Sequence, residues 1–115
     1  MKGFPLAMIL QASPEIVNFS PAGSIDNWRE LMVSAVTVRS MLSISPSAYQ
    51  DACDVMGQEN AAVVVACTLE RSGEINPAGG YLRELTARAK RGEFSLGPVL
   101  MALLRSNGQI GGRTV

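Results

Sequence analysis

The stretch Gln58-Glu59-Asn60-Ala61-Ala62-Val63-Val64-Val65-Ala66-Cys67-Thr68-Leu69-Glu70-Arg71-Ser72-Gly73 decides how this chain is read. From Ala61 to Cys67 it is apolar at every position, so a helix built from it presents apolar side chains on all sides and must be enclosed by other elements. Three consecutive valines favour a buried strand locally, and that is the alternative. Glu59-Asn60 before the run and Thr68-Leu69-Glu70-Arg71 after it extend the segment to helical length, with Gly73 as a stop. The reading is therefore a central helix over 58–72, and a fold made by the helices around it.

Working outward, the same punctuation recurs. Ser13-Pro14, Ser45-Pro46 and Asn76-Pro77 pair a capping residue with a proline at a first helical position, and Gly57, Gly73, Gly92 and Gly108 mark stops. These signals give a short helix from Pro5 to Ala12, about one more turn over 14–19, and a long helix from a cap at Ser24 or Asp26 to about Ser43. Helices over 46–56, 58–72 and 77–91 follow, and the last runs from Ser95 or Pro98 to Ser106. Residues 107–115 are expected to form a flexible tail. Trp28, Leu31, Met32, Ala35, Val38 and Leu42 follow the three-and-four spacing of one buried face, as do Tyr49, Ala52, Cys53 and Met56. The fold class is thus all-α: a compact bundle of five to six helices around a central apolar helix, forming one domain over 1–115 with its ordered part at about 5–106.

Composition agrees. Of the 115 residues, 47% are hydrophobic but only 5% aromatic, so the core is built mainly from Ala, Val, Leu, Ile and Met, which suits packed helices. No apolar run reaches the roughly 18 residues of a membrane span. The stretch Phe4 to Ala12 has only Lys2 as a basic flank and lacks a small-residue cleavage site, so it reads as folded chain rather than a leader. Cys53 and Cys67 belong to no C-x-x-C and the chain has no His, which rules out the usual zinc constellations. Reduced, buried thiols in a cytoplasmic protein are the expectation, with a disulfide between two helices as the alternative.

Zero net charge conceals a polarity. Residues 1–70 carry three basic against seven acidic side chains, and residues 71–115 carry seven basic against three acidic. The second half therefore favours an anionic partner, although plain globular domains show similar polarity.

The chain carries no signature of catalysis. It has no His to act as a base near neutral pH, no glycine-rich loop with a lysine for phosphate, and no carboxylate pair in an apolar setting. Glu70 with Glu74, and Asp51 with Asp54, read as solvated surface. No cofactor, metal or small-molecule substrate is expected. Two glycines, Gly79 and Gly80, sit in the first turn of the helix over 77–91, where each costs up to about 1 kcal/mol relative to Ala. Close approach of another backbone accounts for them structurally, and an anion bound at the helix N-terminus is the functional alternative. Helical rotation places Ala78, Tyr81, Leu82, Leu85 and Ala89 on one face and Arg83, Ala87, Lys90 and Arg91 on the other, with Glu84 and Arg88 able to pair at the flank. Arg83, Lys90 and Arg91 are thus a solvated face or a stripe for nucleic-acid phosphates or an acidic protein. Arg39 falls between Met32 and Ala35 within the apolar face of the long helix. It should be largely buried and hydrogen-bonded, pinning one helix to the end of another, because a buried guanidinium without oxygen partners costs several kcal/mol.

Taken as ordered runs, Ser24-Ile25-Asp26-Asn27-Trp28-Arg29-Glu30-Leu31-Met32, Val38-Arg39-Ser40-Met41-Leu42, Ser45-Pro46-Ser47-Ala48-Tyr49 and Met56-Gly57-Gln58-Glu59-Asn60-Ala61-Ala62 resemble one known family. So do Gly79-Gly80-Tyr81-Leu82-Arg83-Glu84-Leu85 and Arg91-Gly92-Glu93-Phe94-Ser95-Leu96-Gly97-Pro98. The family is the C-terminal region of replication protein C, the initiator of the repABC plasmids of alphaproteobacteria, and the resemblance spans roughly residues 5–106. The family pattern has Cys where this chain has Ser13, which argues against a cysteine-based function. The resemblance implies a role in initiating plasmid DNA replication. It also implies that origin DNA is bound through an N-terminal winged-helix-like region outside this stretch, so the chain is expected to be an isolated domain or a truncated product. Two functions follow as expectations. One is a non-catalytic interaction module that recruits replication proteins or mediates self-association. The other is an accessory nucleic-acid-binding domain that uses the basic stripe. Residues 76–85 also resemble a short motif of primosomal helicase-loading proteins of the DnaD type, which would link the two.

Overall fold

The computed structural model describes residues 4–107 of the chain. Six α-helices and one short 3-10 helix follow in order: α1 (Leu6–Ala12), the 3-10 helix (Pro14–Phe19), α2 (Trp28–Met41), α3 (Pro46–Met56), α4 (Gln58–Glu70), α5 (Ala78–Lys90) and α6 (Leu96–Ser106). No strand occurs among the described residues, and none of their helices is long and apolar enough to cross a membrane. The expected tail lies outside the described residues except for Asn107. That residue departs from the expectation: it ends α6, and its amide donates to the carbonyls of Gln11 and Ala12 at 3.2 Å each, tying α6 to the end of α1.

The centre is the helix that the apolar run predicts. In α4 every residue from Ala61 to Leu69 is buried, and α2, α3, α5, α6 and the 3-10 helix all pack against it. Valine's strand preference is overridden because a helix here buries apolar side chains all round its circumference. Glycine makes the entry sharp. Gly57 alone joins α3 to α4 at φ +94°, a conformation that L side chains rarely adopt, so the chain reverses with a single linking residue. At the other end α4 is fastened by side chains from the start of the fold. The Glu70 carboxylate accepts the Glu15 amide at 2.8 Å, and the Ser13 hydroxyl donates to the Cys67 sulfur at 3.6 Å.

Several helix ends differ from expectation for local chemical reasons. The cap of α2 is Asn27 rather than Ser24 or Asp26; its side chain accepts the Glu30 amide at 2.9 Å while Glu30 reaches back to the Asp26 amide, a reciprocal arrangement that fixes the start one residue later than Asp26. Asn76 does not cap α5, because Pro77 is itself in the extended conformation of the cap position (φ −85°, ψ 147°). The α4 helix ends at Glu70 in two tightened turns, so Gly73 follows the helix without terminating it. Ser45 caps α3 as its sequence predicts, accepting the Ala48 amide at 3.1 Å, with Pro46 at the first helical position.

Three of the buried hydroxyls are satisfied within their own helices. Ser34, Thr68 and Thr86 each return their hydroxyl to the carbonyl four residues earlier. Among the described residues no buried side-chain nitrogen or oxygen lacks a partner.

Candidate functional site

Two surfaces are candidates, the basic face of α5 and the outer face of α2. On α5, Leu82, Leu85 and Thr86 are buried, and Arg83, Arg88, Lys90 and Arg91 are exposed. Three of these four cations lie beside carboxylates of the chain. Lys90 lies 3.9 Å from the carboxylate of Asp51 on α3, Arg91 pairs with Glu93 at 2.9 Å, and Arg88 pairs with Glu84 at 3.2 Å. Arg83 donates to the Ser47 hydroxyl at the start of α3, at 3.4 Å. The stripe is therefore a mosaic along the α3 and α5 seam, with carboxylates set between the cations. Exposed pairs of this kind contribute little stability, but they lower the local potential that a phosphate would meet.

The double glycine has a modest structural role. A Cβ at Gly79 would meet the Ile44 Cα at 3.9 Å and the Ser43 carbonyl at 4.0 Å, so the start of α5 lies against the turn before α3 at ordinary contact distance. A Cβ at Gly80 would come within 3.3 Å of the Pro77 ring. Packing does bring backbones together here, yet not so closely that a side chain is forbidden at Gly79.

Arg39 is half-buried rather than largely buried. Its guanidinium donates to the Ile44 carbonyl at 2.8 Å, and the Ile44 amide donates back to the Arg39 carbonyl at 2.9 Å. A long side chain can keep its charged head partly in water while its base sits on an apolar face, which is why periodicity overstated its burial. Arg39 fastens the end of α2 to the turn that leads into α3.

The outer face of α2 was not anticipated from the pattern of its buried stripe. Leu31, Ser34, Ala35 and Val38 are buried, whereas Val33, Val36 and Met41 are about half exposed, at 49%, 47% and 50%. These three are the exposed large hydrophobic residues of the described chain. A groove of about 310 Å³ runs between α2 and α3, with Arg29, Met32, Val33, Val36, Tyr49 and Cys53 among its lining. Burial and the neighbouring Cys53 thiol push the Tyr49 phenol well above its ordinary pKa, and burial pushes the Cys53 thiol up as well, so both stay neutral. Two further hollows adjoin it, one sharing Arg29 and Val33, the other Met32 and Gln58. A readable signal did exist: Val33, Val36 and Met41 lie off the stripe that the other apolar residues of α2 define.

Among the described residues no three His, Cys, Asp or Glu side chains gather to hold a metal ion. Both cysteines are free, and burial raises the Cys67 thiol to about 11.

The family described as replication protein C C-terminal region matches residues 5–106. A curated relative from Sinorhizobium fredii (strain NBRC 101917 / NGR234), named "Putative replication protein C", is 66% identical over 108 residues, covering 94% of this chain and 27% of the relative. A second of the same name, from Rhizobium rhizogenes, is 61% identical over 109 residues, covering 95% of this chain and 27% of the relative. The chain thus spans about a quarter of the length of the relatives it matches. No solved structure matches it.

Proposed function

The chain belongs to the family of replication protein C C-terminal regions, and from that premise we propose that it serves the initiation of plasmid DNA replication as a non-catalytic protein-interaction module. One observation carries the choice of module over nucleic-acid binder. Most of the cations that would have to meet phosphates already lie beside carboxylates: Lys90 beside Asp51, Arg91 beside Glu93 and Arg88 beside Glu84, while Arg83 reaches only the neutral Ser47 hydroxyl. Non-specific affinity for DNA comes from cations that release counterions, and it grows with the number of free contacts. A face in which Asp51, Glu84 and Glu93 stand among the cations offers few. Replication proteins or a second copy are the partners this reading provides for, with origin DNA engaged by the rest of a longer initiator.

The test is an anisotropy titration of the chain with single- and double-stranded DNA at low and moderate salt, with its mass in solution measured alongside. Little binding at low salt is expected, and no change on replacing Arg83, Lys90 and Arg91 together with Ala. Micromolar, salt-sensitive binding that the triple variant loses would replace the module by an accessory nucleic-acid-binding domain.

A further inference from the structure

Arg29 is a charge that the fold leaves unexplained. It is exposed, and among the described residues it forms neither an ion pair nor a side-chain hydrogen bond, in contrast to Arg71, Arg88, Lys90 and Arg91. It is also the second residue of α2, where the positive end of the helix dipole disfavours a cation. Arg105, which holds no ion pair or side-chain hydrogen bond among the described residues either, sits in the last turn of α6, where the dipole favours it. An anion placed at Arg29 would be attracted by the guanidinium, the helix end itself being already capped by Asn27 and Glu30.

What surrounds Arg29 says which anion. Met32, Val33, Val36 and Tyr49 supply apolar lining to the groove, and Arg29 is the one charged residue among the residues that line it. Phosphate groups on a polynucleotide would leave that apolar surface uncovered, whereas a helix with an apolar stripe covers it and can carry a carboxylate one turn away. A second copy fits poorly. Running α2 antiparallel against itself about Val33 and Val36 sets Arg29 opposite Ser40, and running it parallel sets Arg29 against Arg29. Three half-exposed apolar side chains also fall short of the roughly 800 Å² per partner that a stable dimer buries.

We propose that the groove between α2 and α3 is the docking site for an amphipathic helix of another protein segment, whose apolar side chains seat on Met32, Val33, Val36 and Tyr49 and whose carboxylate meets Arg29. This rests on the interaction-module reading and adds to it the surface and the partner's chemistry. The methionine in the groove suits a site that must accept side chains of somewhat different shape.

The probe is a capped Ala-based helical peptide with Leu at i, i+4 and i+7 and Glu one turn before the first Leu, compared with the same peptide carrying Lys instead of Glu. Titrated into the isotope-labelled chain, the Glu peptide is expected to shift the amide resonances of residues 29–36 and 49–58. It should bind roughly fivefold tighter than the Lys peptide, the difference one exposed ion pair supplies. Arg29→Glu should reverse that preference, and Val33→Lys with Val36→Lys, both at exposed positions, should abolish binding of either peptide without unfolding the chain. Equal affinity for the two peptides, shifts confined to α5, or no shift with either would overturn the proposal. A concentration-dependent mass that the Val33→Lys, Val36→Lys variant loses would overturn it in favour of a second copy. DNA binding by the α5 face would instead count against the module reading itself, so the two failures are distinct.

Discussion

Replacing Gly79 with Ala should stabilise the protein, which is not what a double glycine at a packed helix start suggests at first sight. In the first turn of α5 the glycine costs backbone entropy, about 0.5–1 kcal/mol relative to Ala. The new methyl would rest 3.9 Å from the Ile44 Cα and 4.0 Å from the Ser43 carbonyl. Those are ordinary contacts, so no strain offsets the gain and partial burial adds a few tenths of a kcal/mol. The expected change is about +1 kcal/mol, read as a rise of about 0.7 M in the urea midpoint at a slope of about 1.5 kcal/mol/M, or about 4 °C in Tm. Gly80→Ala is the internal control, because its Cβ would press to 3.3 Å on the Pro77 ring and the ring must give way. It should gain less than Gly79→Ala or lose stability. A fall in the midpoint for Gly79→Ala at unchanged slope would show that the turn before α3 tolerates nothing beyond a hydrogen there, and would refute the reasoning.

Arg39→Ala should cost about 1–2 kcal/mol, somewhat less than a fully buried charged hydrogen bond, because the Ile44 carbonyl loses its donor while the site stays partly open to water; a urea midpoint unchanged from the parent would disprove the fastening role. The Cys67 thiol, buried and pushed up to about 11, should resist alkylation in the native state while Cys53 reacts first, as mass spectrometry at mildly alkaline pH would show; equal rates at the two positions would contradict the packing of α4. Burial raises the Glu70 pKa despite the Glu15 amide it accepts, so the fold takes up a proton there more readily than the unfolded chain and its favourable contribution is lost as pH rises through the raised value. Glu70→Gln, which keeps an oxygen for the Glu15 amide, should therefore be at least as stable as the parent at neutral pH, with the difference closing at about pH 4; a clear loss in neutral urea titrations would count against it.

How much of this was legible beforehand follows from the range of the interaction concerned. The central helix could be read because Ala61 to Cys67 are apolar without interruption, and the α3 start because Ser45 and Pro46 act on their own neighbours. The α2 cap was placed early because Ser24, Asp26 and Asn27 are all good caps, and the decision is made by Glu30 folding back onto Asp26. For the basic face, the wheel put Arg83, Lys90 and Arg91 together on the outside correctly. It could not show that Ser47 and Asp51 on α3 would lie beside two of them, since the Arg83 to Ser47 contact joins residues 36 positions apart. The groove on α2 was hidden for a related reason. Once one stripe of a helix is assigned to the core, Val33 and Val36 look like surplus apolar residues, and only the position of α3 turns them into a wall.

The enclosure of α4 also bears on how the molecule opens. Because α2, α3, α5, α6 and the 3-10 helix all lean on it, none of them can detach without uncovering part of the same helix, whereas α4 cannot be exposed while they stay in place. The amides from Ala61 to Leu69 should therefore exchange with solvent deuterium only through complete unfolding, forming the slowest and most uniform set in the chain, while the first turn of α4 and the peripheral turns exchange more freely. The outer helices can then yield a little at their water-facing sides, as a surface that seats a guest must, around an axis that stays closed until the whole molecule unfolds.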